Sequence, residues 1–227
     1  MYKYETHLHT APVSKCARAS VRENLEFYKS LGYEGIFITN HFLRGNISID
    51  KALPYADKLA FYFTDYDEAV ALSEEIGIKV FLGVEITAID GSDFLVYGLE
   101  REWYVLHPEI ETMKASEMLR LIKDSGALVV HAHPFREAGY IDHIHLFPRC
   151  IEAVEIYNAG RTDFENEMAR LYAEKYGLAV TAGSDNHSAA AQRNLAGMEF
   201  DSPLDSVDDF IRRVRRGECK IFIIEQE

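Results

Sequence analysis

The amino-acid sequence predicts an α/β fold in which seven or eight strands form a closed or distorted barrel. Helical patterns alternate with short β-rich runs throughout the 227 residues, which is typical of βα units around a parallel sheet. The length is one that α/β barrels commonly reach as one domain, and the sequence contains no internal repeat or Pro/Gly-rich linker. We therefore expect residues 1–227 to form a single domain.

Eight short segments rich in β-branched and aromatic residues are the strand candidates. They are Tyr2–His7, Gly35–Thr39, Lys79–Ile86, Asp93–Tyr97, Leu128–Ala132, Ala153–Tyr157, Leu178–Ala182 and Lys220–Ile224.

Helices are predicted from their start and stop signals. Ser20–Glu23 has the pattern of a capping box, and Gly32 marks the end of the helix that follows. Thr162–Glu165 repeats this pattern, with Gly177 as the stop. Further helices are expected near Asp65–Ile76, Met113–Asp124 and Leu204–Arg216, and Gly45–Pro54 is expected to be a long loop over the functional site.

The composition is that of a folded protein with a full core. Apolar residues make up 48% and aromatic residues 12%, which excludes disorder. No stretch approaches the ~20 apolar residues that span a bilayer, and the N-terminal residues lack the apolar core of a signal peptide. We therefore expect a cytoplasmic protein with no membrane contact. Cys16, Cys150 and Cys219 are odd in number and unclustered, so a disulfide framework is not expected.

The net charge of −13 disfavours long nucleic acids as partners, because proteins that follow a phosphate backbone normally carry a basic stripe. The only dense basic run is Arg212–Arg216, at the end of a predicted helix, where cations are favoured by the helix dipole. A small anion held by metal ions is still compatible with this charge, and no obligate protein partner is evident.

Six of the nine histidines lie in four short motifs, each at the end of a strand candidate. The motifs are His7-Leu8-His9-Thr10, Thr39-Asn40-His41, His131-Ala132-His133-Pro134 and Gly183-Ser184-Asp185-Asn186-His187. Glu85 and Glu155 also lie late in their strands. Because the active site of a barrel lies at the carboxyl ends of its strands, these side chains are expected to converge there. Histidine is the commonest metal ligand, so the pattern predicts a polynuclear metal site and a hydrolytic enzyme.

In this order the motifs resemble those of the PHP (polymerase and histidinol phosphatase) family: H-x-H-T, T-D-H, G-x-E, a late H-P and G-S-D-x-H. The resemblance spans Glu5 to His187. It implies a distorted (β/α)7, TIM-like barrel that holds two or three divalent ions (Zn, Mn or Fe) at the carboxyl ends of its strands. It also implies hydrolysis of phosphate esters, by attack of a hydroxide that the metal ions generate from water.

The resemblance also implies which residues bind the ions. Four ligands would hold the first ion, with Glu85 bridging to the second. These four are His7, His9, Glu85 and Asp185. His133 would bind the second ion, and His41 and His187 the third. Asp93 stands where relatives often have a further histidine ligand, although a turn residue that opens a strand is an equal alternative.

Two departures from the family pattern concern the third ion. Many members have Asp or His five or six residues after H-x-H, whereas this chain has Ser14, Lys15 and Cys16. Cys16 is either a soft ligand or a packed thiol. The T-D-H motif is T-N-H here, so Asn40 can orient a neighbour but cannot lend charge.

Other residues are assigned supporting or catalytic roles. His131, Glu155 and Asn158 are expected to hold ligands in place. Asp185 and His187 are the predicted catalytic residues, with His187 or a water giving a proton to the leaving group.

Substrate binding is assigned to Arg136 and Lys15. Arg136 lies three residues after His133 and suits bidentate capture of a phosphate, with a surface salt bridge as the alternative. Lys15 could bind phosphate from the first loop.

The sequence thus predicts a phosphoesterase that acts on a small phosphorylated metabolite. Two alternatives are kept: a short-oligonucleotide exonuclease of the same family, and a metal-dependent amidohydrolase, which also uses H-x-H on the first strand of a barrel. The T-N-H motif at 39–41 and the position of His187, two residues after Asp185, favour the phosphoesterase over the amidohydrolase.

Overall fold

The computed structural model describes residues 1–42 and 44–225, and the nine strands found there form one sheet. The strands are β1 (Tyr2–Leu8), β2 (Gly35–Ile38), β3 (Lys79–Thr87), β4 (Asp93–Tyr97), β5 (Leu128–His131), β6 (Ala153–Asn158), β7 (Ala179–Gly183), β8 (Leu195–Phe200) and β9 (Lys220–Ile224). The helices are α1 (Val21–Ser30), α2 (Tyr55–Tyr62), α3 (Thr64–Ile76), α4 (Arg101–Leu106), α5 (Ala115–Asp124), α6 (Asp163–Tyr176) and α7 (Val207–Arg216), with 3-10 turns at Pro108–Glu111 and Ala189–Ala191.

Strands β1 to β7 curl into a nearly closed barrel. They are neighbours in the order β7-β6-β5-β4-β3-β2-β1. Where β7 returns to β1, Thr6 Oγ1 donates to the carbonyl of Ala182 (2.7 Å), and the amide of His9 donates to the carbonyl of Asn186 (2.9 Å). The α/β barrel predicted from the sequence is therefore confirmed.

The alternation of helices and strands suggested a parallel sheet, but the sheet is mixed. β4 is antiparallel to β3 and β5, because β3 and β4 form a hairpin with the tight turn at Ala88–Ser92. Reversal of β4 places its first residue, Asp93, opposite Thr87 at the end of β3. Asp93, the first residue of β4, therefore lies at the same end of the barrel as the last residues of the neighbouring strands.

Strands β8 and β9 add an antiparallel pair beside β1. The sequence analysis missed β8, because Gly197 in its middle weakens the strand pattern. A Cβ at Gly197 would lie 2.3 Å from the carbonyl oxygen of Tyr4, so glycine allows β8 to approach β1. The short helices α2 and α4 were also missed, whereas the capping boxes at Ser20 and Thr162 are both formed.

Two apolar layers enclose the sheet. Inside the barrel, Phe37 and Tyr97 pack against Phe210 of α7 at ring-centroid distances of 4.6 and 5.1 Å, and the Phe37 and Tyr97 rings are 5.2 Å apart. Outside it, helices α2 to α6 cover residues such as Val84 and Val129. In the described part of the chain, none of the helices is both long and apolar enough to cross a membrane.

Candidate metal centre

The carboxyl ends of the parallel strands bring seven predicted site residues into one buried group. Three overlapping triplets have ligand atoms within 4.8 Å of one another. The triplets are His7, His9 and Asp185; His7, Glu85 and His133; and His9, His41 and His187. The first triplet contains three of the four ligands predicted for the first ion, whereas the second and third triplets also include His7 and His9, which were not predicted there. The number of ions that this group holds stays a prediction.

Glu85 lies between the triplets, with its two oxygens facing different histidines. Oε1 is 3.3 Å from His7 Nε2 and 3.2 Å from His133 Nε2, while Oε2 is 3.5 Å from His9 Nε2 and 2.5 Å from His41 Nδ1. Burial alone would raise the pKa of Glu85, but the charge of His41 and the close contacts with the His133 and His7 rings hold that pKa well below its usual range. An ionised carboxylate shared in this way is suited to bridge two cations.

The donor set fits divalent metal ions. His7 Nε2 and His9 Nε2 are buried and have no hydrogen-bond partner among the residues described. Buried polar atoms are rarely left unpaired, and orphaned imidazole nitrogens beside two carboxylates are the groups that a transition metal would satisfy. Nitrogen and oxygen donors of this kind suit Zn, Mn or Fe.

The opposite ring nitrogens of these histidines are held by hydrogen bonds, as is usual for metal ligands. Glu155 Oε1 lies 2.8 Å from His7 Nδ1, and Ser14 Oγ lies 3.1 Å from His9 Nδ1. The backbone carbonyl of Asp185 is 2.8 Å from His187 Nδ1. Each ring is thus fixed with its free nitrogen toward the centre.

Glu155 and Asn158, both on β6, hold two further ligands in place. Glu155 Oε2 accepts hydrogen bonds from the His133 amide (3.0 Å) and from Asn158 Nδ2 (2.9 Å). The same Asn158 amide group donates to Asp185 Oδ2 (3.3 Å). Both residues therefore lie where supporting roles were predicted.

A second network of hydrogen bonds orients the His9 ring through Ser14. Asn40 Oδ1 accepts hydrogen bonds from Ser14 Oγ (2.8 Å) and from the Thr10 amide (2.7 Å), and Ser14 in turn contacts His9. Asp65 Oδ2 accepts from Thr10 Oγ1 (2.7 Å) and from Asn40 Nδ2 (3.2 Å). Asn40 thus orients its neighbours, whereas sequence analysis did not single out Asp65, which comes from a distant helix.

The backbone is strained at two of the ligands. His133 has φ 28° and Asp185 has φ 51°, in the left-handed region that residues other than glycine rarely adopt. Such conformations persist where surrounding contacts enforce them, and they cluster at functional sites. Here the left-handed turns direct both side chains toward Glu85 and His7.

Gly183 allows β7 to lie close enough to β1 for the centre to form. A Cβ at this position would lie 2.5 Å from the Cβ of His7 and 3.0 Å from Glu155 Oε1. A larger residue would therefore push Asp185 away from the histidines of β1.

Cys16, His41 and His187 lie at the outer side of the centre. The His9 ring is 4.2 Å from both the His41 and His187 rings. Burial raises the pKa of the Cys16 thiol, but hydrogen bonds with His187 and His41 outweigh it and lower the pKa to about 6.

An open cleft of about 890 Å³ lies over the centre and is rich in arginine. Its cationic lining residues are Arg18, Arg44, Arg136 and Arg161. Arg136 lies 3.7 Å from Asp93 Oδ2, beyond hydrogen-bond range, and its guanidinium is 5.8 Å from the Tyr140 ring. Within the described residues, the other three arginines form no ion pair. The sequence analysis missed them because they are isolated in loops.

Two predicted residues lie away from the positions expected for them. His131 packs against Phe94 and Phe147 in the outer apolar layer, so its predicted support of the ligands is wrong. The reason is that β5 ends at His131, and the turn at His133 breaks the two-residue alternation. Lys15 is exposed and is not among the residues that line the cleft.

Asp93 lies beside the centre but outside the three triplets. Its Oδ1 accepts a hydrogen bond from Thr87 (2.7 Å), and burial and the charge of Glu85 raise its pKa. Its role as a metal ligand stays a prediction.

Fold and site together are those of an α/β barrel built around a cluster of side chains that could hold metal ions. The family model described as PHP-associated matches residues 163–219, which include α6, β7, β8 and α7. Together with the structural likenesses below, this match confirms the resemblance to the PHP family. No curated protein matches the sequence.

Several solved structures share the fold at low sequence identity. A two-domain protein from Bacteroides vulgatus containing a predicted PHP-like metal-dependent phosphoesterase superposes with TM-score 0.67 and 15% identity, over 97% of this chain and 64% of that one. A putative metal-dependent phosphoesterase from Bifidobacterium adolescentis gives 0.59 and 18%, over 93% and 94%. The lesion-specific endonuclease PfuEndoQ from Pyrococcus furiosus gives 0.60 and 14%, over 97% of this chain and 57% of that one. The chain thus spans less than two thirds of the first and third of these proteins.

Proposed function

We propose that the protein is a metal-dependent phosphoesterase that hydrolyses a small phosphate monoester. The observation that carries this proposal is the pair of Glu85 oxygens beneath an arginine-lined cleft: one oxygen faces His7 Nε2 and the other faces His9 Nε2, and both nitrogens are buried without a hydrogen-bond partner among the described residues. The fold is also that of proteins described as metal-dependent phosphoesterases.

The residues divide the work between holding ions and binding substrate. His7, His9, Asp185 and Glu85 would hold the first ion, and Glu85 with His133 the second. Divalent ions at these positions would neutralise the phosphoryl oxygens and generate a nucleophile from water near pH 7. All other steps fall to the side chains of the cleft.

Arg136 is placed to bind the phosphoryl group. Its side chain is about one quarter exposed, it lines the cleft together with His133, and only a loose ion pair with Asp93 competes for it. A guanidinium offers two parallel donors to phosphoryl oxygens, so it would both bind and orient the ester.

His187 would protonate the leaving alkoxide. It is the most exposed of the clustered histidines, at 25%, and it lines the cleft. Burial lowers its pKa, but Cys16 and the charge of Asp185 raise it above its ordinary value, so the imidazolium is available near neutral pH. His187 can act in this way only while the third position holds no ion.

The surface charges support a small substrate over a long nucleic acid. The basic run at the end of α7 is neutralised by neighbouring carboxylates: Arg212 and Arg213 pair with Asp209, and Arg215 pairs with Glu152. Outside the cleft there is thus no basic path from this run for a phosphate backbone. The likeness to PfuEndoQ keeps a short oligonucleotide as the second candidate, although the chain spans only 57% of that protein.

The test uses the full chain, stripped of metal and reloaded separately with Zn, Mn or Fe. We expect at least two equivalents of metal per chain by elemental analysis. We further expect hydrolysis of members of a panel of phosphorylated metabolites, with no release of nucleotides from short oligonucleotides and no hydrolysis of N-acyl amides. Less than one equivalent of metal with every ion would refute the metal centre. Activity on oligonucleotides or amides alone would replace the phosphomonoesterase with one of its two alternatives.

A further inference from the structure

We infer that the substrate carries a second anionic group on its alcohol part, and that Arg18, Arg44 and Arg161 bind this group. The inference rests on the proposed function, since it concerns which phosphate esters the cleft accepts. The second group is a carboxylate or another phosphate, because a guanidinium offers the same pair of donors to both.

The three arginines line one cleft and form no ion pair within residues 1–42 and 44–225. The chain has carboxylates in excess, with a net charge of −13, and it uses them to pair arginines elsewhere. Arg22 Nη1, for example, lies 2.9 Å from Glu75 Oε1. Cations of one sign gathered in one cleft repel each other, and they attract anionic ligands into it. This lining is therefore suited to an anion.

Arg161 adds an independent sign of a ligand. Its Nε atom is buried and has no hydrogen-bond partner in the part of the chain that the structure describes, although buried donors are rarely left unpaired. Its amide donates to the carbonyl of Asn158 (3.0 Å). The preceding Gly160 lies against a proposed metal ligand, because a Cβ there would be 3.9 Å from the Cβ of Asp185. The unpaired guanidinium thus belongs to a segment beside the metal centre.

Arg18 and Arg44 lie where the leaving group is expected. The Arg18 amide donates to the carbonyl of His187 (2.7 Å), and His187 is the proposed proton donor to the leaving alkoxide. Arg44 is followed by Gly45, where a Cβ would lie only 3.1 Å from the Cβ of His41. Both arginines are thus held beside the outer histidines, on the side of the alcohol part.

Arg136, which is proposed to bind the phosphoryl group, belongs to another side of the cleft. It follows β5 and faces Asp93, whereas Arg18 and Arg44 follow β1 and β2. Two strands, β3 and β4, separate β2 from β5 in the sheet. Two divalent ions and Arg136 would already match the charge of one phosphoryl group. The other arginines are therefore more than a simple monoester needs, and the cleft of about 890 Å³ has room for a larger anion.

The experiment compares esters with and without the second anion on the metal-loaded full chain. The reference esters are monophosphates of short linear diols. Each is matched with the bisphosphate of the same diol and with the ester in which a carboxylate replaces the free hydroxyl end. We expect kcat/KM to be at least about tenfold higher for one of the two anionic series, the effect of a single hydrogen bond to a charged group. The better series distinguishes a phosphate from a carboxylate.

Three variants remove one guanidinium each but keep a polar side chain: Arg18→Gln, Arg44→Gln and Arg161→Gln. Each should lose most of the preference for the anionic ester while its metal content stays that of the wild type. Arg136→Gln should instead slow the neutral and anionic esters alike, because both contain the phosphoryl group. Arg120→Gln, at an exposed position on α5, is the control and should keep the full preference.

The ratio of two substrates on one variant separates recognition from folding, since partial unfolding lowers both rates and leaves their ratio unchanged. Equal kcat/KM for neutral and anionic esters would overturn the inference and leave the phosphoesterase intact. A preference that persists in all three glutamine variants would overturn the role of these arginines. If the metal-loaded chain hydrolyses none of the esters, the proposed function fails and this inference with it.

Discussion

The inner and outer parts of the metal centre are built differently. In the inner part, His7 and Glu85 lie on strands and His9 directly follows β1, and their side chains are at most 1% exposed. In the outer part, His41 and His187 lie in loops and are 13% and 25% exposed. The inner ligands are held by buried carboxylates and hydroxyls, whereas the outer histidines face the cleft.

Because of this difference, we expect the two parts to differ in how well they tolerate substitution of a ligand. Substituting an inner ligand leaves an unpaired polar group in a sealed site, which costs stability as well as metal affinity. An outer ligand can be exchanged for another donor with little disturbance, because solvent and loop adjust around it. The departures from the family motifs, at Cys16 and Asn40, both fall on the side of the third position.

The largest loss of activity is expected for Glu85 and Asp185, the two carboxylates proposed to hold the first ion. Glu85→Gln and Asp185→Asn should each abolish phosphatase activity, by more than about 100-fold, since removal of a ligand should exceed the ~10–100-fold cost of losing a supporting residue. Each removes a negative ligand and should lower metal affinity. Turnover and metal content would be measured, with Glu75→Gln on the surface of α3 as the control. Retention of a tenth or more of the turnover would show that these carboxylates do not hold the ions.

The next effect concerns a residue that touches the inner part without binding an ion. Glu155→Gln should weaken metal binding by about 10–100-fold, because the new amide no longer fixes the ring of His7 as a carboxylate does. Isothermal titration with Zn would measure the affinity. Glu152 lies just before the same strand and pairs with Arg215 at the surface. The control variant Glu152→Gln should therefore bind zinc with the affinity of the wild type. Equal affinities in the two variants would contradict the positioning role.

A smaller effect is expected in the cleft, where Arg136 should bind substrate without contributing to the metal centre. Arg136→Ala should keep its full metal content but lose about 1.5–3 kcal/mol of interaction, or about 10- to 150-fold in kcat/KM. Inorganic phosphate should also inhibit this variant less. Arg136→Lys should recover only part of the loss, because a point charge lacks the bidentate geometry. The control is Arg120→Ala, at an exposed position on α5. Unchanged kinetics in Arg136→Ala would contradict a role in substrate binding and leave Arg136 only its ion pair with Asp93.

The smallest effect is expected for Lys15. Because its side chain is exposed and outside the cleft lining, Lys15→Ala should change kcat/KM by no more than about twofold, the size of an ordinary surface substitution. Arg44→Ala, in the lining, should lower it more. If the order of the two losses were reversed, the phosphate site would extend toward the first loop, as the sequence alone suggested.

The sequence predicted most of the barrel because strand ends and ligand motifs coincide. His7, His9 and Glu85 could be placed since strand alternation and barrel geometry together fix the direction of a side chain. The same rule failed for His131, which was expected on the same face as His133. The left-handed turn after β5 exchanges the faces, and no residue type in His131–Pro134 announces it.

Other parts of the site depend on contacts that a single sequence does not contain. The orientation of β4 follows from a tight hairpin, and only that orientation brings Asp93 beside Glu85. Asp65 and the cleft arginines Arg18, Arg44 and Arg161 come from separate loops and helices. Their convergence requires the closed fold, so neither spacing nor periodicity could indicate it.

The closure between β1 and β7 would give the first of the proposed ions a structural role. Thr6 and Ala182, which meet at this seam, are 176 positions apart, and the proposed ligands His7 and Asp185 lie beside them on opposite sides. An ion shared by both sides would act as a cross-link over almost the whole chain, the arrangement in which loop-closure entropy is largest. Because it binds only the closed barrel, it would also stabilise the native state by mass action. Amide hydrogen exchange in β7 should therefore slow when metal is added. The same ions would then serve both catalysis and the stability of the closed barrel.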